Sequence, residues 1–251
     1  MEARLVMLCS EAKIDRGLGF SLDVKLTEEE LRLFRNLIEK QWLMVSRQAC
    51  PEYIEEFYLK GMKNYHQLSH LLDHSVTWPK TVRILSKKAV DEIREMPFCR
   101  KLEDIFGPFL ISDEENIGWE EIYWRLVRPN QLGDVGPLHA DAWFWALGHG
   151  VTPKNMRRVK VWIAVYCEPG LNGLRVVPNS HKKEWRYHGE TRNGFVKPQI
   201  DEKEEELAIQ LVHTNPGEVI VFNDRLLHGG ALNQGHFTRV SAEFTMFVKK
   251  D

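Results

Sequence analysis

The chain has 251 residues, 43% of them hydrophobic and 10% aromatic, which suits one large domain with a substantial core. A formal net charge of −2 and a pI near 6.6 leave no basic footprint for a nucleic-acid partner, and no apolar run approaches the roughly 18–20 residues that cross a bilayer. The four cysteines, Cys9, Cys50, Cys99 and Cys167, contain no C-x-x-C pair; this argues against a zinc ribbon or redox dithiol and for a reducing, cytoplasmic compartment.

In chain order, the apolar run Leu5 to Leu8 is shorter than the about 7–15 residues of a signal-peptide core. A helical part is expected over about residues 25–107. Thr27 and Glu30 have the spacing of a capping box, and Leu31, Phe34, Leu37, Ile38 and Trp42 follow at helical intervals. Pro51 suits the first turn of a second helix that includes Ile54 and Phe57. A third helix is expected from Pro79 to Glu95, ending near Pro97. His66, His70 and His74, with Asp73, would share one helix face; without an H-E-x-x-H pattern they read as a solvated face before a metal site.

After about residue 108 the texture changes to short β-prone runs separated by Gly, Pro and Asn. They are EIYWRLV (121–127), RVKVWIAVYC (158–167), GLRVVP (173–178), EVIVF (218–222) and TRVSAEFTMFV (238–248). With little helical pattern between them, they predict an antiparallel barrel or sandwich over about residues 108–248 within a single domain, 1–251. Side chains alternate across a strand. Val159, Val161, Ile163 and Val165 therefore form one greasy face, fit to pack on the N-terminal helices. Lys160, Trp162, Ala164 and Tyr166 form the other, fit to line a cavity. In the last strand Val240, Ala242, Phe244 and Met246 oppose Arg239, Ser241 and Glu243. The acidic run DEKEEE (201–206) reads as a solvated turn or short helix.

The chemistry concentrates in HADAWFWALGHG (139–150). On a strand, His139 and Asp141 point the same way and offer an imidazole nitrogen and a carboxylate oxygen to one metal. His228, after the EVIVF strand, supplies a third ligand, and Gly229 and Gly230 permit close backbone approach. Two histidines and one carboxylate with open positions make the facial triad of non-haem Fe(II) oxygenases. Arg239 and Ser241 suit the far carboxylate of 2-oxoglutarate. Tyr123 and Arg125 share one face of their strand and can line the same site. If alternation continues past Asp141, Trp143 and Trp145 look into the cavity as substrate walls and Phe144 turns to the core. His181 is expected to stabilise a turn, His149 and His213 to be structural or exposed, and Glu243 to form an ion pair inside the barrel.

These residues, with VWIAVYCEPGLNGLRVVPNSHK (161–182), resemble the phytanoyl-CoA dioxygenase family over roughly residues 120–248. The resemblance rests on the Trp162-x-Ala164 strand, the Asn172-Gly173 turn, and Pro178-Asn179-Ser180-His181-Lys182 beside the family's P-G-S-H-K. It implies a mainly β protein, with a double-stranded β-helix (jelly-roll, cupin-like) core under an N-terminal helical layer. It implies Fe(II) held by His139, Asp141 and His228, 2-oxoglutarate held by Arg239 and flanked by Trp162, and dioxygen as oxidant. A hydroxylation-type oxidation of a small-molecule substrate follows, with no nucleic-acid or membrane partner. Asn179 replaces the family's Gly but tolerates left-handed backbone. Gly230 stands where the family can place Ser. The basic, aromatic stretch 182–198 is a candidate lid whose Arg186 and Arg192 would suit an anionic substrate. Two other readings are a cupin-like isomerase or dioxygenase that does not use 2-oxoglutarate, and a non-catalytic binding protein on the same fold. No feature marks a CoA pocket, and the chain ends Lys-Lys-Asp without a peroxisomal S-K-L.

Overall fold

The computed structural model describes residues 10–192 and 195–250, with the backbone alone for Arg192 and Phe195. A short edge strand, β1 (Phe20–Lys25), leads into the long helix α1 (Glu28–Ala49). The capping box forms. Glu30 N donates to Thr27 Oγ1 at 3.2 Å, and Thr27 N donates to Glu30 Oε2 at 2.7 Å. Glu30 Oε1 accepts from Phe98 N at 2.6 Å, so the carboxylate that caps α1 also anchors a later helix.

A 3-10 turn over Pro51–Tyr53 precedes α2 (Ile54–Lys60). The expected histidine face does not form. Residues 62–71 are 3-10 turns, and α3 (His74–Thr77) starts afresh behind an Asp73 cap. His66 meets Thr238 Oγ1 at 3.2 Å through Nδ1, whereas His74 Nδ1 meets the Tyr65 hydroxyl at 2.9 Å. The expected helix from Pro79 to Glu95 is also divided. Lys80–Arg83 is a 3-10 turn, and Ser86 caps α4 (Lys87–Arg94). Between them Ile84 bridges Tyr123 and Leu85 N donates to Ile122 O, so backbone pairing to a strand overrides helix propensity there. Pro97 begins a helix rather than ending one: α5 (Pro97–Phe106) carries it in the first turn, where its missing N–H costs nothing.

The β core is two antiparallel sheets, beside a separate two-stranded one. The larger orders β1, β9 (Glu218–Asn223), β4 (Met156–Tyr166) and β11 (Arg239–Lys249). The far edge of β11 takes both β2 (Leu110–Ile111) and β3 (Tyr123–Val127). The smaller orders β10 (His228–Gly230), β5 (Leu174–Val176) and β8 (Gln210–Val212). Between the sheets Trp162, Ala164, Ile220 and Phe222 pack on Leu174, Val176 and Val212. This is the double-stranded β-helix layout. The outer faces of β4 and β11, including Val161, Ile163, Val240 and Phe244, share one apolar cluster with Phe34, Leu37, Ile38 and Trp42 of α1. The helical layer thus seals the outside of the larger sheet and leaves its inner face for chemistry.

Two stretches depart from the sequence reading. Residues expected to form the loop 182–198 contain the hairpin β6 (Tyr187–Arg192) and β7 (Phe195–Ile200). The stretch after His139 is not a strand: α6 (Asp141–Ala146) is a short helix. The acidic run holds a 3-10 turn, Glu204–Glu206, and one member has a structural task. Glu204 pairs with Arg175 and accepts from Leu138 N at 3.2 Å, next to His139.

Candidate metal centre

His139 and His228 are set side by side by backbone. Each donates its N–H to the other's carbonyl, at 2.9 and 2.8 Å, in an isolated β-bridge. Their rings lie 4.5 Å apart. His139 Nδ1 faces Pro137 O at 2.9 Å, and His228 Nδ1 faces Leu226 O at 2.9 Å. A carbonyl can only accept, so Nδ1 carries the proton in both rings and Nε2 is left with a free lone pair. Asp141 opens α6, and its Oδ2 lies 3.3 Å from His228 Nε2 while Oδ1 lies 3.9 Å from His139 Nε2. The three offer ligand atoms all within 4.8 Å of one another, the one such cluster among the described residues.

Electrostatics keeps these groups in ligand form. Burial, assisted by His228, drives His139 down to about 4, so its imidazole is neutral at neutral pH. Burial alone would raise Asp141; Lys160, His228 and His139 outweigh it and bring the carboxyl down to about 2. Asp141 Oδ2 is buried without a hydrogen-bond partner among the described residues. A buried carboxylate with no hydrogen bond to Oδ2, facing two Nε2 lone pairs and with the Lys160 ammonium no nearer than 3.7 Å, is an arrangement that a metal ion would complete.

A second incomplete site lies along the same inner face. Arg239 is 2% exposed, and its Nη1 donates to Gly173 O at 3.2 Å. Its Nε and the Ser241 hydroxyl are both buried without partners among the described residues. Burial, with repulsion from Arg125, lowers Arg239 to about 10, which still leaves a cation at neutral pH. A buried guanidinium with an idle donor beside an idle hydroxyl fits a carboxylate. Trp162 is buried with the Arg239 guanidinium 5.9 Å from its ring, and so flanks this space. A Cβ at Gly230 would sit 3.5 Å from Arg239 Nη2, so the glycine leaves the hydroxyl role to Ser241.

The remaining expected residues divide. Tyr123 and Arg125 lie opposite Glu243 and Ser241 in the β3–β11 register. Glu243 forms the expected ion pair, and its partner is Arg125, whose side chain is 42% exposed. The helix at 141–146 overturns the alternation argument for the aromatics. At helical spacing Phe144, not Trp143, shares the Asp141 side, and it meets the His139 ring edge-on at 5.3 Å. Trp143 turns to a separate apolar cluster and stacks on Tyr187 at 4.5 Å. Trp145 packs on Phe247 at 5.5 Å, with Arg158 over its ring. Arg186 is 83% exposed and 3.8 Å from Glu202. The side chain of Arg192 lies outside the described residues. His181 holds a turn: its Nε2 meets Asp15 O at 3.2 Å, after Asn179 at φ 65°. His149 reaches Val196 O at 2.7 Å. The sequence reading placed Lys160 on the cavity side of β4 but gave it no role. The structure puts its ammonium 3.7 Å from Asp141 Oδ2 and 2.9 Å from Thr245 Oγ1.

The profile of the phytanoyl-CoA dioxygenase (PhyH) family matches residues 38–241. The chain belongs to this family. No curated protein matches the sequence. Among solved structures, EctD from S. alaskensis in its apoform is similar at 16% identity and TM-score 0.56, over 94% of this chain and 75% of that one. The epimerase SnoN, solved with Fe3+, alpha ketoglutarate and nogalamycin RO, is similar at 14% identity and TM-score 0.55, over 98% and 84%. AviO1 from Streptomyces viridochromogenes Tue57 is similar at 14% and 0.52, over 94% of both. At these identities the likeness is one of fold. The family membership and the His139–Asp141–His228 cluster together support an Fe/2-oxoglutarate oxygenase-type enzyme.

Proposed function

We propose that this chain oxidises a small, anionic organic substrate using Fe(II), 2-oxoglutarate and dioxygen, with hydroxylation as the simplest outcome. The observation that supports this reading is a pair of unfinished sites, one formed by His139, Asp141 and His228 and one by Arg239 and Ser241 on the inner face of the larger sheet. Asp141 Oδ2 lacks a partner beside two imidazole lone pairs, and Arg239 Nε and Ser241 Oγ lack partners on the same inner face. One cation and one carboxylate complete both. His139, Asp141 and His228 are the residues that would hold the metal, and iron there supplies the redox chemistry that activates dioxygen.

The protein's own part is to bind, orient and exclude water. The backbone carbonyls of Pro137 and Leu226 hold each imidazole in one tautomer. Arg239 and Ser241 would hold the far carboxylate of 2-oxoglutarate. Trp162 keeps that space dry. Arg125, half-exposed and aligned by Glu243, offers a cation to a substrate anion. A retained Asp141 favours hydroxylation over halogenation, because related halogenases replace this carboxylate to admit halide.

The test is anaerobic titration with Fe(II) and 2-oxoglutarate, followed by a substrate screen that reads succinate release. His139→Ala with Asp141→Ala should abolish release while circular dichroism stays native. Full succinate formation by that double variant would refute the metal assignment. Metal binding that survives Arg239→Ala, with turnover needing no 2-oxoglutarate, would favour the cupin-like alternative.

A further inference from the structure

Lys160 stands out because it works against the obvious purpose of the site. Its side chain is 3% exposed, in the middle of β4, and burying an ammonium carries a heavy desolvation cost. It donates to Thr245 Oγ1 at 2.9 Å and lies 3.7 Å from Asp141 Oδ2. Thr245 Oγ1 in turn donates to Glu114 Oε1 at 2.9 Å, and Glu114 pairs with Lys80 at 3.2 Å. The site therefore places a fixed positive charge against the carboxylate that is to bind a cation. Like charges in a dry chamber repel strongly, so Lys160 lowers the affinity of the three ligands for a metal on its own.

The charge makes sense once two ligands bind in sequence. Resting on the proposed function, we propose that Lys160 couples metal binding to binding of the 2-oxoglutarate dianion: it holds the empty site weak for metal and makes the metal-loaded site tight for the dianion. The metal brings two positive charges and Asp141 supplies one negative. Lys160 makes the metal-loaded site one unit more positive than the metal and its ligands alone, which favours a dianion. Arg125 and Glu243 form a neutral pair nearby, as do Arg158 and Asp224, so neither pair replaces the lysine's effect. The sign does not depend on more distant charges, because losing Lys160 shifts the site by one unit whatever the total. The coupling is reciprocal, so the dianion must strengthen metal binding by the same factor that the metal strengthens dianion binding. Lys160 is a positioning residue in this scheme and forms no bond to substrate.

The experiment is anaerobic calorimetry on the full chain with Co(II) in place of Fe(II), and 2-oxoglutarate, each titrated alone and with the other present. Lys160→Met should bind Co(II) alone at least about tenfold more tightly and 2-oxoglutarate on the Co(II) form at least about tenfold more weakly, the scale of one buried charge. Lys160→Arg, which keeps the charge, should retain most of the coupling and guards against a methionine variant that folds poorly. Weaker Co(II) binding in Lys160→Met, with 2-oxoglutarate unchanged, would mean that the lysine merely supports Asp141 and would overturn the proposal. So would all constants staying within about twofold of wild type. Wild type that fails to bind Co(II) would sink the site reading itself, an outcome distinct from a wild type that binds without coupling.

Discussion

Replacing Arg239 by Met should separate ligand recognition from folding. The methionine keeps most of the side-chain volume at a site that is 2% exposed, but removes a charge whose Nε has no partner. The free protein loses one hydrogen bond, to Gly173 O, worth about 1 kcal/mol. It also sheds an incompletely paired buried cation, an effect of opposite sign. Free-protein stability should therefore stay within about 1 kcal/mol of wild type. The ligand effect is much larger. Truncating one partner of a buried charge pair costs about 2–5 kcal/mol, so the 2-oxoglutarate Kd should rise by at least about 30-fold. Consider a thermal-shift assay with metal present and 2-oxoglutarate at about 100 times the wild-type Kd. Wild type gains about 2.7 kcal/mol. At about 2–4 °C per kcal/mol for a chain of this size, that is roughly 5–10 °C. With a Kd raised about 100-fold the gain falls to about 0.4 kcal/mol, near 1 °C. An undiminished shift in Arg239→Met would refute the assignment of Arg239 as the carboxylate anchor.

Other perturbations probe the frame. Asp141→Asn keeps the shape but removes the charge facing two imidazoles; Co(II) titration should show metal affinity falling at least about tenfold, and unchanged affinity would remove Asp141 from the ligand set. Burial pushes Glu121 up to about 7. A carboxyl whose folded pKa exceeds its unfolded one stabilises below the unfolded value, near 4.5, and loses that contribution as pH rises through about 7. Glu121→Gln should thus be about 1–3 kcal/mol more stable than wild type at pH 8 and lose the advantage near pH 5, by urea melts at both pH values. Glu30→Ala removes the bonds to Thr27 N and Phe98 N together and should cost about 2–3 kcal/mol, a loss measurable in the same melts.

How much of this was legible depends on how local the cause is. The capping box of α1 is a four-residue pattern and reads correctly from Thr27 and Glu30. The two faces of β4 read correctly from Val159 to Val165, whose odd positions pack outward under the helices; Tyr166, expected on the cavity side, instead packs on α1 and bonds Glu39, because a register irregularity between Val240 and Ser241 ends the alternation there. The helix expected from Pro79 to Glu95 misread because Ile84 is claimed by Tyr123, a partner almost 40 residues away that no local pattern reveals. The hairpin at 187–200 was hidden by its charged, glycine-containing sequence, which resembles loop composition. The placement of Trp143 and Phe144 misread for a sharper reason. The H-x-D pair straddles a boundary: His139 belongs to a β-bridge and Asp141 is the first residue of α6. Extending the strand by one turn of reasoning past that boundary inverts which aromatic faces the metal.

That boundary also bears on what the enzyme does. SnoN, of like fold, is an epimerase solved with iron and alpha ketoglutarate, so the fold with its ligands does not by itself fix the product. On the proposed function, the three ligands and Arg239 would serve the common chemistry, and the surrounding residues would decide which substrate bond is met. Here those residues come from three different elements. Phe144 is set by the first turn of α6, Arg125 by β3 and its Glu243 partner, and Lys160 by the middle of β4. Arg125 is held by Glu243 and Lys160 by Thr245, whereas Phe144 rests against the ring of a ligand, His139. If the Phe144 ring shapes only the substrate space, its substitution should change substrate choice or product while leaving Co(II) affinity within about twofold, whereas substitutions at the ligands should abolish all outcomes alike. Product analysis of Phe144→Ala beside wild type tests this division, and loss of metal binding in that variant would mean that the ring supports His139 rather than shaping the substrate space.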